Sequence, residues 1–349
     1  MIPVTVLTGF LGSGKTTLLG HLLRHPDLAR TAVIINEFGA VALDHDLVEA
    51  SDESFVELKT GCICCAVRGD LVATLGDLAR RRDAGTVPPF ERVVIETTGL
   101  ADPAPVLIAL LGDDGLGERF TIAGVVTTVD AVGGMQALDE HDQAVKQAAL
   151  ADRIVLTKTD LLGAARDETA ALRSRLADLN PAAHVITASF GDVAPDLLLR
   201  GPGGAPRTAD DILRWLGAHA LRTNALDLGH RQARARHDDR IGVHTIVREA
   251  PIAALALTLF LEALMEQAGR DVLRLKGLVR LAEDDSRPVV VHAVQHLLHP
   301  LATLDRWPSA DRQSRLVFIL RDIAPAWIDA LLAVIEAEVA ETADRPRAM

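Results

Sequence analysis

Along the first half of the chain the apolar positions switch between two periods. Short, nearly continuous β-branched runs predict strands at Pro3–Thr8, Ala32–Asn36, Ser54–Lys59, Arg92–Glu96, Ile122–Val129, Arg153–Thr157 and His184–Ala188. Helix-period segments between them predict helices at Lys15–Arg24, Gly69–Arg82, Pro103–Leu111, Asp142–Leu150 and Ala164–Leu179. Strands that are apolar on both faces and alternate with helices imply a mostly parallel sheet covered by helices on both sides. Right-handed crossovers then bring the C-terminal end of every strand to one edge.

From around residue 196 the texture changes. Gly201–Pro206 reads as a loop and Ala209–Leu221 as a helix, and residues 223–240 form a polar, charge-dense linker. Beyond it come a strand at Gly242–Arg248, a helix at Ala253–Gln267, strands at Arg274–Ala282, Pro288–Val294 and Ser314–Arg321, and a closing helix at Pro325–Thr342. Strands clustered without strict alternation predict a smaller α+β C-terminal domain. The expected division is 1–222, a linker at 223–240, and 241–349.

Composition narrows the function classes. The chain has 349 residues, 49% hydrophobic and 24% charged, with a formal net charge of −12. That balance suits a soluble globular protein and argues against a nucleic-acid binder with a broad basic surface. The absence of Tyr and the presence of only 3 Trp also disfavour base-stacking platforms. The longest apolar stretch, Pro251–Leu261, falls short of the roughly 18 residues a membrane span needs. The N-terminal MIPVTVLTGF has no charged leader region, so no secretory signal is expected. All three cysteines, Cys62, Cys64 and Cys65, lie within four positions. That spacing excludes a disulfide framework and points to a reducing, cytoplasmic compartment. Basic residues are overwhelmingly Arg; the five lysines are Lys15, Lys59, Lys146, Lys158 and Lys276.

Three segments carry nucleotide chemistry. Gly9-Phe-Leu-Gly12-Ser13-Gly14-Lys15-Thr16 follows a strand and opens a helix, the context that makes a P-loop, with Thr17 next in line. Its backbone N–H groups curl around phosphate oxygens, Lys15 neutralises the β- and γ-phosphates, and the Thr16 hydroxyl suits Mg²⁺. Glu96-Thr-Thr-Gly99 ends an apolar strand, where Glu96 can anchor the Mg²⁺ shell and Gly99 can meet the γ-phosphate. Thr157-Lys158-Thr-Asp160 ends another. There Asp160 can accept from guanine N1–H and the 2-amino group, with the Lys158 stem packed on the base. Thr157 stands where the usual guanine motif has Asn. These segments assign the sheet to the P-loop NTPase class.

Gly61-Cys62-Ile-Cys64-Cys65 follows the strand Ser54–Lys59, and Glu37 follows Ala32–Asn36. Parallel topology delivers both to the P-loop edge, so three thiols and a carboxylate can converge beside the γ-phosphate. Clustered thiolates suit Zn²⁺ and, less exclusively, Co²⁺. Buried inert thiols and a redox pair are the plainer alternatives.

GFLGSGKTTLL, INEFG, GCICC, ETTG and TKTD, in that order, resemble the CobW-type metal-chaperone GTPases, relatives of the hydrogenase- and urease-maturation GTPases. Ile241–Ile323, with RLKG, PVVVHAVQH and RLVFI, resembles the family's C-terminal domain. The resemblance implies a slow GTPase that uses Mg²⁺, carries Zn²⁺ or Co²⁺, and delivers it to a client metalloprotein, with a nucleotide-dependent homodimer as a further expectation. It implies Cys64 and Cys65 as metal ligands with Glu37 or Cys62 as the third, and Asp44 in a switch. The family's long His-rich stretch is missing here, which argues against a metal store. His292, His296 and His299 read as a strand running into a turn rather than a helical metal face, and His230, His237 and His244 read as solvated. The rival readings are a P-loop small-molecule kinase or ATPase, which needs no metal-thiolate site, and a nucleotide-dependent regulatory module without turnover.

Overall fold

The computed structural model describes residues 1–35, 55–57, 67–162, 169–190, 192–199, 240–308 and 310–344. The chain divides into two compact units, Met1–Gly204 and Ala205–Met349.

The first unit runs β1 (Ile2–Gly9), α1 (Lys15–Leu23), β2 (Thr31–Ile35), β3 (Phe55–Glu57), α2 (Val67–Asp83), β4 (Arg92–Glu96), α3 (Ala104–Leu111), α4 (Asp114–Gly117), β5 (Phe120–Asp130), α5 (Gly134–Glu140), α6 (Asp142–Leu150), β6 (Arg153–Thr157), α7 (Ala170–Leu179), β7 (His184–Thr187) and α8 (Pro195–Leu199). Among the described residues seven strands pair in the order β3-β2-β4-β1-β5-β6-β7, every pair parallel. Both faces of such a sheet must be buried, and the side chains alternate accordingly. Leu7, Val33, Val94, Val126 and Val155 pack with Leu18, Leu19 and Leu22 of α1 on one face. The next position along β5, Thr127, turns the other way and donates its Oγ1 to the Gln147 carbonyl of α6 at 2.8 Å. The last turn of α6 is closed from a distance. Asn180 Nδ2 lies 2.9 Å from each of the Ala148, Ala149 and Ala151 carbonyls, in the stretch where a helix runs out of its own N–H donors.

Strand order reverses at β1, which lies between β4 and β5. The crevice beyond such a reversal is where open α/β sheets take their ligands.

The second unit runs β8 (Ile241–Arg248), α9 (Ala254–Ala268), β9 (Val272–Val279), β10 (Val289–Val294), β11 (Leu297–Leu298), β12 (Ala302–Thr303), β13 (Ser314–Arg321) and α10 (Pro325–Asp344). Its described strands order β11-β10-β9-β13-β8 with β12 beside β10, all antiparallel. Leu316, Phe318 and Leu320 of β13 bury one face against Leu257, Phe260 and Leu264 of α9 and Ile328 and Leu332 of α10. The intervening Val317 faces Leu278, Val290 and Leu304 on the other side. This is the α+β arrangement expected from the clustered strands.

β4, α6, β6 and β13 have the expected bounds. Three short helices, α4, α5 and α8, were not expected. Residues 164–168 of the helix read at Ala164–Leu179, the helix read at Ala209–Leu221 and linker residues 223–239 lie outside the described residues. Among the described residues no helix is long and apolar enough to cross a membrane.

Phe260 is fully buried, edge-on to Phe318 at a centroid distance of 6.5 Å. Phe260→Ala is expected to destabilise the second unit by about 3–5 kcal/mol, read as a shift of its denaturant midpoint. An unchanged midpoint would mean that this ring does not fix the helix face.

Candidate functional site

The chain leaves β1 and turns through Gly12 and Gly14 into α1. Gly14, at φ +88, is the N-cap, and a conformation this costly for a side-chain-bearing residue explains the glycine. No side chain caps α1, and its first turn contains no acidic residue. The helix thus presents a first turn that no side chain caps, and its positive end, to the crevice, an anion-binding arrangement. Lys15, largely buried, curls back so that its Nζ donates to the Gly9 carbonyl at 2.9 Å and the Phe10 carbonyl at 3.2 Å. The ammonium is therefore held inside the loop's curve. Ser13 Oγ lies 2.6 Å from Thr128 Oγ1, which fastens the loop to β5.

Thr16, in the first turn of α1, donates its Oγ1 to Glu96 Oε1 at 3.0 Å. Glu96, at the end of β4, is buried. Two adjoining hard oxygen donors at the mouth of an anion site form the donor set that Mg²⁺ prefers. Thr17 follows on α1, exposed. Gly99 lies on the loop after β4, packed against the P-loop at Leu11.

At the other end of the crevice, Lys158 and Asp160 leave β6. Lys158 sits at φ +56 and donates its Nζ to Asp130 Oδ2 at 2.6 Å. Asp160 Oδ1 accepts from the Phe190 backbone N–H at 3.2 Å. Thr157 donates its Oγ1 to the Ser13 carbonyl at 2.7 Å. The hydroxyl standing in for the usual Asn thus holds the P-loop.

Glu37, Asp44, Cys62, Cys64 and Cys65 lie outside the described residues. The strands that lead toward them are described. Ile35, the last residue of β2, is in register with both Glu57 of β3 and Glu96 of β4.

Of the histidines, His292 and His299 face each other across the β10–β11 hairpin, rings stacked at 4.2 Å, so the pairing is that of strands and not of a helix face. His244 corrects the solvated reading. It lies on β8, mostly covered, with Nε2 2.9 Å from Asp329 Oδ1. His230 and His237 lie outside the described residues.

Sequence reasoning did not single out Asp130, His141 or Gln147. All three border a cavity of about 230 Å³ beside the P-loop, together with Phe10, Ser13 and Thr128. Phe10 stacks on His141 at 4.5 Å. Asp130 ends an apolar strand at the same edge as Glu96, a signal that was available in the sequence.

The family description "CobW/HypB/UreG, nucleotide-binding domain" matches residues 3–187, and "Cobalamin synthesis protein cobW C-terminal domain" matches residues 241–336. The chain is 34% identical over 320 residues to the zinc chaperone YjiA of Escherichia coli K12, spanning 91% of this chain and 93% of that one. It is 32% identical over 371 residues to the zinc chaperone CobW of a Sinorhizobium species, spanning 96% and 97% respectively. The crystal structure of Zn(II)-bound YjiA GTPase from E. coli aligns with a TM-score of 0.73 at 28% identity, covering 96% of this chain and 98% of that one.

Burial pushes the Asp130 carboxyl up, but the Lys158 hydrogen bond, the Val132 and Gly133 backbone N–H groups and the Lys158 charge outweigh it and hold it below its ordinary 3.8. A carboxyl lowered on folding contributes stability that is whole above 3.8 and lost as pH falls through the folded value. Asp130→Asn should therefore lower Tm at neutral pH, with the gap to the unmodified chain closing on acidification below 3.8. A gap that stays constant across that range would show that the carboxylate does not contribute as an ion.

Proposed function

Since the chain belongs to the CobW/HypB/UreG family and has the cobW C-terminal domain after its nucleotide-binding domain, we propose that it is a GTP-hydrolysing metallochaperone. Its cargo is a thiophilic divalent metal, Zn²⁺ first and Co²⁺ second, delivered to a client metalloprotein in a reducing, cytoplasmic compartment. The reading places GTP in the crevice at β1. Gly9, Gly12, Ser13, Gly14 and Thr17 form the phosphate cradle with the α1 N-terminus, and Lys15 neutralises the β- and γ-phosphates. Thr16 and Glu96 would hold Mg²⁺, which when bound supplies charge neutralisation at the phosphates. Gly99 offers its N–H to the γ-phosphate. Asp160 accepts from guanine, a pair of donors that adenine lacks, and Lys158 packs its stem on the base. Turnover is slow, because no glutamine or arginine finger is assigned, and a client or second copy of the chain completes the site.

The observation that carries the reading is the register of β2 on β4, Ile35 opposite Glu96. Glu37 follows Ile35 by two residues, so the chain leading to it starts beside the carboxylate that meets Thr16. The segment with Cys62, Cys64 and Cys65 starts from β3, bonded to β2 at the same edge, and leads into α2. Nucleotide and cargo therefore share neighbouring strand ends, which supports reciprocal coupling. With GTP bound, Cys64 and Cys65 hold the metal with Glu37 or Cys62, and the segment around Asp44 acts as the switch. Loss of the γ-phosphate releases that switch and loosens the cargo. The unit Ala205–Met349 chooses the recipient.

Metal titration of the reduced protein, followed by thiolate charge-transfer absorption with Co²⁺, should give an affinity about 5- to 150-fold tighter with a non-hydrolysable GTP analogue than with GDP. Equal affinities would sink the coupling. ATP competing as well as GTP would favour the kinase reading.

A further inference from the structure

The loop after β4 is held at both ends. At its start, the Thr97 N–H donates to the Leu7 carbonyl at 2.9 Å and Thr97 Oγ1 to Thr8 Oγ1 at 2.8 Å. At its end, α6 grips it with two consecutive residues. Gln147 Nε2 lies 3.1 Å from the Gly99 carbonyl and 3.0 Å from the Ala101 carbonyl, donating to both. Lys146 Nζ lies 3.7 Å from Asp102 Oδ2. Between the two gripped carbonyls Leu100 is exposed. The loop also lies directly on the P-loop, since a Cβ on Gly99 would sit 2.8 Å from the Leu11 backbone nitrogen.

These contacts fix one peptide plane. The Ala101 N–H donates to the Thr98 carbonyl at 3.1 Å. In a trans peptide the N–H opposes the C=O, so the Gly99 N–H points away from this turn. Gln147 bonds the Gly99 and Ala101 carbonyls on either side of Leu100 and so restrains the turn that carries the Gly99 N–H. The amide serves the loop with its donors alone. Gln147 is fully buried, and its Oε1 has no hydrogen-bond partner among the described residues. An unmet buried acceptor costs about 1–3 kcal/mol, and an apolar side chain of the same length would leave the Gly99 and Ala101 carbonyls in that position instead.

We infer that Gln147 is a positioning residue for GTP hydrolysis, aiming the Gly99 N–H at the terminal phosphate held by the P-loop and Lys15. The inference rests on the nucleotide-site reading above. It separates binding from turnover, because the P-loop holds the nucleotide without Gln147.

The test uses the full chain with Gln147→Met, which keeps length and loses both donors, and Gln147→Glu, which keeps shape and turns a carboxylate toward the two carbonyls. Affinity for a fluorescent GDP and KM for GTP are expected to stay within about twofold, while kcat falls about 10- to 100-fold, the range for a misplaced catalytic group. Tm of Q147M is expected to fall, because the Gly99 and Ala101 carbonyls lose their donor. An unchanged kcat in Q147M overturns the inference. A fall in affinity that matches the fall in kcat also overturns it, since loss of the whole nucleotide site is the signature of a structural role. If Q147E does not fold, Q147M alone decides. Absence of GTP turnover in the unmodified chain would overturn the nucleotide-site reading itself, a result distinct from normal turnover in Q147M.

Discussion

Parallel pairing forces every strand of the first sheet to end on the same edge, and nearly all of the site follows from that. β1 delivers the P-loop, β4 delivers Glu96, β5 delivers Asp130 and β6 delivers Lys158 and Asp160. Groups separated by 80 or more residues, such as Thr16 and Glu96, meet at hydrogen-bond distance because their strands are in register. The same constraint places β2 and β3, and hence the chain toward the cysteines, on the flank of β4. Burial of both sheet faces enforces it, since a parallel sheet with an uncovered face does not persist in water.

Side chains that bind this edge together differ in kind from those offered to ligands. Thr157 to the Ser13 carbonyl, Ser13 to Thr128 and Thr97 to Thr8 are buried hydroxyl contacts between neighbouring strands and loops. They are short, neutral and geometrically strict. The charged groups are sparser and mixed in burial: Lys15 and Glu96 are buried, while Lys146 and Lys158 are partly exposed. Of the five lysines, Lys15 bonds P-loop carbonyls, Lys158 pairs with Asp130 and Lys146 pairs with Asp102. In a chain whose basic residues are mainly Arg, three of the five lysines thus sit around this crevice. A compact ammonium enters a backbone curve that a planar guanidinium does not fit.

The strands were legible because a doubly buried strand needs an apolar run and little else; Arg92–Glu96 and Arg153–Thr157 need no partner to be recognised. Helix α5 was hidden because it opens at Gly133-Gly134, a pair that locally favours a turn, and tertiary packing overrides that preference. The P-loop and Glu96 were legible because their chemistry is tied to local spacing. Gln147 was not, since an amide in a helix acquires its role only through carbonyls more than 45 residues away. His244 was misread for the same reason: its partner Asp329 lies 85 residues on. Thr157 was read for what it lacked, and its contribution emerged once Ser13 was seen beside it.

Asn180 adds a further consequence. Its amide bonds the last carbonyls of α6 from a position just beyond α7, so the final turn of α6 is complete only while α7 is docked. Undocking α7 leaves buried carbonyls without partners, and the two helices therefore open as one unit rather than fraying separately. The residue that grips the loop after β4 lies within that unit. A substitution in α7 that loosens Asn180 is therefore expected to be felt at the loop after β4, through α6 and with no change in the sheet.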